Sequence, residues 1–258
     1  MGHGFLDRYS DLNSFIHRLD PRTKIGITLL FILLVVVTPP VAGLTFALCF
    51  IFIGLTVALS RLPPGYALKR SLLILPFVVL VTLFVPFFHQ GEVVRSYSVS
   101  LWEVTITRSG LLVLWGVLIK SWLAFLSLIL LTSTTRFPEL LQALEKLRMP
   151  RTMILILAFL YRYLFVLVDE ALRMQRARDS RSSGGGWIRG IRAVGNMIGT
   201  LFLRSYERGE RVYGAMLARG FEGQIPSMNR LCFSRADLYF SISALTFLSL
   251  AGWTAVFH

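Results

Sequence analysis

From Ile25 to Leu59 the chain carries no charged side chain. That run decides what kind of protein this is. As one helix it would extend roughly 50 Å at about 1.5 Å per residue, against about 30 Å of bilayer hydrocarbon. Thr38-Pro39-Pro40 lies inside it. Proline has no backbone N–H and its ring clashes with the preceding turn, so a helix stops there. The run therefore predicts two membrane spans, 24–38 and 41–59, joined by a tight turn.

Four further apolar runs follow, at 71–88, 110–132, 153–168 and 237–257. Hydrophobic residues make up 55% of the 258, above the 45–50% usual for soluble domains. The basic charge is unevenly placed. Of 27 Lys and Arg, seventeen lie in 133–236, which also holds eight acidic residues. Cytoplasmic loops collect Lys and Arg, so the N-terminus reads as inside, 38–41 as outside, 60–70 as inside, 89–109 as outside and 133 onward as inside. The run 153–168 then cannot cross alone without carrying the twelve arginines between 173 and 235 outward. It is short, and Tyr161-Arg162-Tyr163 interrupts it. An arginine at a span's centre costs about 2.5–3.5 kcal/mol on insertion scales. This run reads as an apolar helix buried within a cytoplasmic or interfacial domain, which leaves five spans and an external C-terminus. The first twenty-four residues are polar and mixed, with no cleavable signal, so the first span is expected to insert the chain. In the outer segment, VVRSYSVSLWEVTIT alternates as a short hairpin at the membrane surface would, with Trp102 at the interface. Pro76 and Pro86 in the third span admit a kink or a broken helix, although a simply tolerated proline is the expected case.

The basic region is clearly punctuated. Thr135-Arg136-Phe137-Pro138-Glu139 reads as a helix start, with Thr135 near the cap. A second helix begins near Pro150 and runs to about Arg181, where Ser182-Ser183-Gly184-Gly185-Gly186 breaks it. A third runs from Trp187 to Arg219, with Gly220 as its C-terminal stop. Two helices of about thirty residues, each roughly 45 Å long, suit levers that touch different things at their two ends. On the third, Arg204, Arg208, Arg211 and Arg219 fall within about 80° of one another, while Tyr206, Tyr213, Met216 and Leu217 lie on other faces. The two long helices close on similar tripeptides, Ala177-Arg178-Asp179 and Ala218-Arg219-Gly220.

Several function classes find no support. No G-x-x-x-x-G-K-[ST] phosphate cradle occurs, so ATP-derived energy would have to come from another chain. The histidines, His3, His17, His89 and His258, are scattered, and no acidic pair lies within a span. Asp169 and Glu170 are adjacent and are expected to pair with Arg173 and its neighbours along the helix. Met1-Gly2-His3 could offer a square-planar nickel or copper site, but a separate metal-capturing subunit is the simpler expectation. Cys49 and Cys232 have no neighbours at metal spacing. No catalytic residue, resident metal or cofactor is assigned. The net charge of +13 suits cytoplasmic loops and anionic lipid rather than nucleic acid. Lys120, within the fourth span, is expected to pack against protein or to snorkel.

Taken together, LDRYSDLNSFIHRLDPRTK before the first span, the apolar spans and the basic domain with its two Ala-Arg-x ends resemble the transmembrane T component of energy-coupling factor (ECF) importers. SYERGERVYGAMLARGFEG looks most like the cobalt/nickel branch, the CbiQ family. The resemblance implies an all-α integral membrane protein of the bacterial cytoplasmic (inner) membrane. Residues 1–132 would hold the N-terminal region and four spans, 133–236 a cytoplasmic coupling domain, and 237–258 the last span. It implies a non-catalytic subunit that couples two ATP-binding cassette ATPases to a substrate-capturing membrane protein. Cobalt or nickel is the expected cargo, with a vitamin such as biotin as the alternative. A membrane enzyme or a lipid-binding scaffold without ATPases is the rival class. Carried over from the family, the ATPase-coupling residues are Ala177, Arg178 and Asp179 with Ala218, Arg219 and Gly220. The first triplet departs from the family's commoner Ala-Arg-Gly at Asp179.

Overall fold

The structure is a computed structural model that describes residues 14–82, 93–99, 102–181, 186–223 and 233–256. Its helices are α1 (Pro21–Val37), α2 (Gly43–Ser60), α3 (Pro64–Leu72), α4 (Leu75–Thr82), α5 (Arg108–Thr134), α6 (Phe137–Lys146), α7 (Arg151–Arg181), α8 (Trp187–Leu217) and α9 (Arg235–Val256). Two strands, β1 (Val93–Val99) and β2 (Trp102–Thr107), form an antiparallel hairpin with an irregularity between Val93 and Arg95. The chain is an all-α membrane protein carrying that one hairpin among its described residues. It divides into two compact units, with the break between Ala143 and Leu144 inside α6. One unit contains α7 and α8; the other contains the remaining helices.

Local sequence explains most element ends. Asp20 caps α1 by accepting from the Arg22 N–H at 2.9 Å, and Pro21 fills the first helical position, where no N–H is needed. The α1–α2 turn spans 38–42, and the Ala42 N–H closes it onto the Pro39 carbonyl at 3.2 Å. The third span is broken rather than carrying a simply tolerated proline. Pro76 cannot donate to the Leu72 carbonyl, and the helix interrupts at Leu73 and Ile74 between α3 and α4. Pro86 lies outside the described residues. Helix α6 begins with Phe137 and Pro138 in its first turn, so Thr135 stands just outside the cap. It ends with Arg148 in the left-handed region, φ 68°, where the Arg148 N–H reaches Glu145 and the Met149 N–H reaches Leu144.

Five described segments are long and apolar enough to cross a membrane: Gly43–Ser60, Gly65–Thr82, Gly110–Thr134, Arg151–Arg181 and Arg235–Ala255. Four overlap expected spans, although Gly65–Thr82 begins six residues before the expected 71–88 run, inside the segment expected as a loop. The remaining expected one, α1, has 17 residues and reaches about 26 Å, a little under the usual hydrocarbon thickness. Helix α7 qualifies because its apolar residues run on for several turns around Arg162. None of its residues is buried within the chain.

In the larger unit, α1, α2, α5 and α9 pack around Phe31, Val35, Phe46, Cys49, Ile53, Leu123, Leu126 and Leu248. Phe52 stacks between Phe31 and Phe247, with both ring centroids 5.6 Å away, and so links α1, α2 and α9. Gly116 on α5 lies where the α1–α2 turn presses in: a Cβ there would sit 2.7 Å from Pro40 Cβ. One turn further on, Lys120 Nζ donates to the Val36 carbonyl at 2.9 Å, capping the C-terminal end of α1. Lys120 thus packs against protein, as expected.

A buried polar junction joins three helix ends in this unit. The Asp20 N–H donates to Asp237 Oδ1 at 2.6 Å, and the Ser234 N–H donates to Asp237 Oδ2 at 2.7 Å. One carboxylate therefore caps α9 and ties its start to the start of α1. Lys24 Nζ donates to the carbonyls of His17, at 3.2 Å, and of Thr134, at 3.0 Å. Thr134 is the last residue of α5, so the ammonium sits at the negative end of that helix. Asp20, Lys24 and Asp237 are each at most 5% exposed. Lys24 reaches carbonyls rather than a carboxylate, and Asp20 Oδ2 is buried without a hydrogen-bond partner among the described residues, so the cluster is only partly compensated.

Candidate functional site

Helices α7 and α8 carry both Ala-Arg-x triplets. Glu170 of α7 pairs with Arg204 of α8 and also with Arg173 one turn on, at 3.7 Å. The pairing expected along α7 is therefore present, and Glu170 is shared with the second helix. Tyr163 lies with Val212 and Ala215 across one groove. Val166 and Leu167 lie with Leu201, Ser205 and Arg208 across the next. Beyond them Met174, Ala177 and Arg178 face Ala193, Asn196 and Met197 across a cleft of about 750 Å³. Rising numbers on α7 meet falling numbers on α8, so the pair runs antiparallel. Arg178 stands opposite Asn196, and Arg219 lies twenty-three residues further along α8. At about 1.5 Å per residue, roughly 35 Å separates the two triplets along the helix axis.

The arginine stripe read from the helical wheel is present in space. Arg204, Arg208 and Arg211 all line the grooves against α7. Arg211 pairs with Glu207 at 3.7 Å, while Arg208 has no acidic partner among the described residues. On the opposite side of α8, Ile188, Ile191, Ile198, Phe202, Tyr206, Tyr213 and Leu217 are exposed. At 100° per residue these seven fall within about 100°, so α8 has one charged face and one apolar face.

The two triplets end their helices differently. Helix α8 stops by a reversed turn: the Gly220 N–H bonds the Leu217 carbonyl at 3.0 Å and the Phe221 N–H bonds the Met216 carbonyl at 3.1 Å. Gly220 has φ 76°, which a residue with a Cβ rarely adopts. The Gly214, Met216 and Leu217 carbonyls at this helix end are therefore satisfied by backbone. Arg219 is exposed and has no ionic partner among the described residues. At the other triplet α7 continues through Asp179 to Arg181. Asp179 Oδ1 accepts from Arg178 Nε at 3.0 Å and from the same guanidinium's terminal nitrogen at 2.7 Å. The expectation that both helices close on their triplets holds for Ala218-Arg219-Gly220. Ala177-Arg178-Asp179 lies within the last turn of α7, because nothing in Asp179 terminates a helix and the break comes only with the Ser-Gly run.

Among the described residues no three His, Cys, Asp or Glu side chains converge as a metal site would require. Met1-Gly2-His3, His89, His258 and Cys232 lie outside the described residues. The junction of Asp20, Lys24 and Asp237 was not foreseen. Two signals for it stand in the sequence: Asp-Pro before α1 is a helix-start signature, and Ser234-Arg235-Ala236-Asp237 is a capping box.

Comparison with known proteins agrees with this architecture. The family model of the cobalt transport protein CbiQ matches residues 12–229. The energy-coupling factor transporter transmembrane protein EcfT of Listeria innocua is 31% identical over 229 residues, covering 84% of each chain. EcfT of Acidaminococcus fermentans is 30% identical over 264 residues, covering 95% of this chain and 93% of its own. A fused cobalt transport protein, CbiMQ of Methanocorpusculum labreanum, is 28% identical over 191 residues, 72% of this chain and 32% of the fused one. With its membrane-spanning helices and paired long helices, the chain belongs to the CbiQ family, the transmembrane T components of energy-coupling factor transporters.

Proposed function

We propose that this chain is the energy-coupling subunit of an ATP-driven importer of cobalt or nickel ions. The observation that carries the coupling role is Arg219. It is held at a helix end whose own carbonyls are already satisfied, and its guanidinium is free for a partner. Five N–H donors in a rigid fork suit a groove lined by carboxylates and carbonyls. Arg178 presents a second guanidinium roughly 35 Å away along the pair. Two such ends suit two ATPase subunits. ATP hydrolysis belongs to those separate chains, and this chain is non-catalytic.

In this reading residues 133–236 form a cytoplasmic coupling domain, 1–132 supply four spans and 237–258 the fifth, with the N-terminus inside and the C-terminus outside. The cytoplasmic placement of α7 and α8 is supported by their arginines, which are costly in hydrocarbon. ATP binding closes the ATPases and moves the ends at Arg178 and Arg219. The long helices pass that motion on as rigid bodies. The exposed apolar face of α8 offers a seat for the substrate-capturing membrane subunit. Cobalt is supported by the family's description and by the fused relative's name, and nickel only by the likeness of SYERGERVYGAMLARGFEG to the cobalt/nickel branch. The relatives named EcfT carry no metal in their names, which keeps a vitamin such as biotin as the second reading.

The test is affinity purification of the chain from its native membrane in mild detergent. Recovery of an ATP-binding chain with a small second membrane protein is expected, and uptake of labelled cobalt, nickel or biotin by the same cells identifies the cargo. Arg219→Glu should lower ATPase recovery far more than Arg189→Glu, about 45 Å back along the same helix. Equal losses would mean that the basic surface acts diffusely, and recovery of the chain alone would end the coupling reading.

A further inference from the structure

The two coupling ends are not chemically alike. Arg178 gives two N–H donors to Asp179, whose side chain is 54% exposed while that of Arg178 is 33% exposed. Arg219 forms no ion pair among the described residues, the next acid along the chain being Glu222, and the following Gly220 has open space where a Cβ would stand. The α7 end thus presents a cation and an anion side by side. The α8 end presents a cation beside bare backbone.

A partner groove that offers only carboxylates suits Arg219. The same groove at Arg178 would bring its carboxylates against Asp179, and like charges at such range repel. A groove that places a lysine or arginine beside its carboxylate reverses that repulsion: its acid takes Arg178 and its base takes Asp179. We propose that Asp179 is a specificity-determining residue. It makes the α7 end select a partner groove carrying both an acidic and a basic side chain, while the α8 end selects a groove of acceptors alone. The proposal rests on the coupling reading of Arg178 and Arg219. One consequence is that the two docking grooves differ in charge, whether they belong to two different ATPase chains or to one chain engaged unequally.

The test uses the assembled complex in its native membrane. A photo-cross-linking amino acid replaces Ser180, near the α7 end, or Glu222, just past the α8 end; both positions are exposed. Each is combined with wild-type Asp179, Asp179→Asn or Asp179→Arg. Arginine is a better helix former than aspartate, so α7 should persist. The expected result is cross-linking of both positions to an ATP-binding chain in the wild type. In Asp179→Arg the yield from 180 should fall by about tenfold or more, with the yield from 222 unchanged and Asp179→Asn intermediate. Unchanged yields in both variants would overturn the role of Asp179 and leave the coupling reading intact. Equal loss at both positions would also overturn it, since the effect would not belong to the α7 end. Failure of the wild type to cross-link from either position would instead sink the coupling reading itself.

Discussion

Replacing Asp237 by alanine tests the junction most directly. Its carboxylate is the acceptor for two backbone donors, the Asp20 N–H at 2.6 Å and the Ser234 N–H at 2.7 Å. The residue is 1% exposed, so water cannot simply take the carboxylate's place at the first donor. A buried donor left without a partner costs about 1–3 kcal/mol. The Asp20 donor is buried and belongs near the top of that range; the Ser234 donor is partly buried and belongs near the bottom. Lys24 also loses one of the three carboxylates, Glu139, Asp237 and Asp20, that act on its charge. The expected loss is therefore about 3–4 kcal/mol. Cys49 is buried and provides the reporter. With Cys232→Ser as background, a thiol-reactive dye reports exposure of Cys49 as detergent-solubilised protein is heated. Asp237→Ala should expose Cys49 at a clearly lower temperature than the parent. Thr246→Ala, which removes only a hydroxyl bonded to its own helix, should not. If Asp237→Ala melts with the parent, the two N–H donors have found other partners and the junction does not hold α1 to α9.

Gly116→Ala should destabilise by about 1–3 kcal/mol in the same melt, because its Cβ would stand 2.7 Å from Pro40. Lys120→Met should cost about 1 kcal/mol by removing the donor to the Val36 carbonyl, whereas Lys120→Arg, which can still reach it, should cost less. Gly220→Ala puts a Cβ at φ 76°, so it should cost about 1 kcal/mol and shift Arg219; recovery of the ATP-binding chain should fall while the α5 and α9 core melts normally. Arg148→Gly should leave the melt unchanged or raise it slightly, since glycine relieves the left-handed backbone that closes α6.

What the sequence made legible is what neighbouring residues decide. Thr38-Pro39-Pro40 marked the α1–α2 turn, alternation marked the hairpin, and Gly220 marked the end of α8. Each acts through a backbone N–H, a steric clash or a φ value within a few positions. The junction was hidden because its partners are far apart in the chain. Asp20 meets Asp237 across 217 positions and Lys24 meets Thr134 across 110, and no local periodicity encodes such pairings. Of the candidate site, the arginine stripe on α8 was legible from its angular spacing. The bond between Arg178 and Asp179 was not, because adjacent residues on a helix point about 100° apart and only long side chains close that gap. Membrane membership of α7 was read from charge, whereas its length and composition alone allow it to span.

The tie between Asp20 and Asp237 also has a topological consequence. It brings the first residues of two membrane helices to one place, and Lys24 brings the last residue of α5 there as well. Three such ends can meet only on a single face of the bilayer. A chain that leaves a face and returns to it has crossed an even number of times. Between Asp20 and Thr134 the expected spans, α1, α2, the broken α3–α4 segment and α5, number four, which satisfies the parity. The stretch from Thr134 to Asp237 must then cross an even number of times too. A hydrogen bond of 2.6 Å at one end of the bundle thereby constrains how often the chain between two distant residues can cross the membrane.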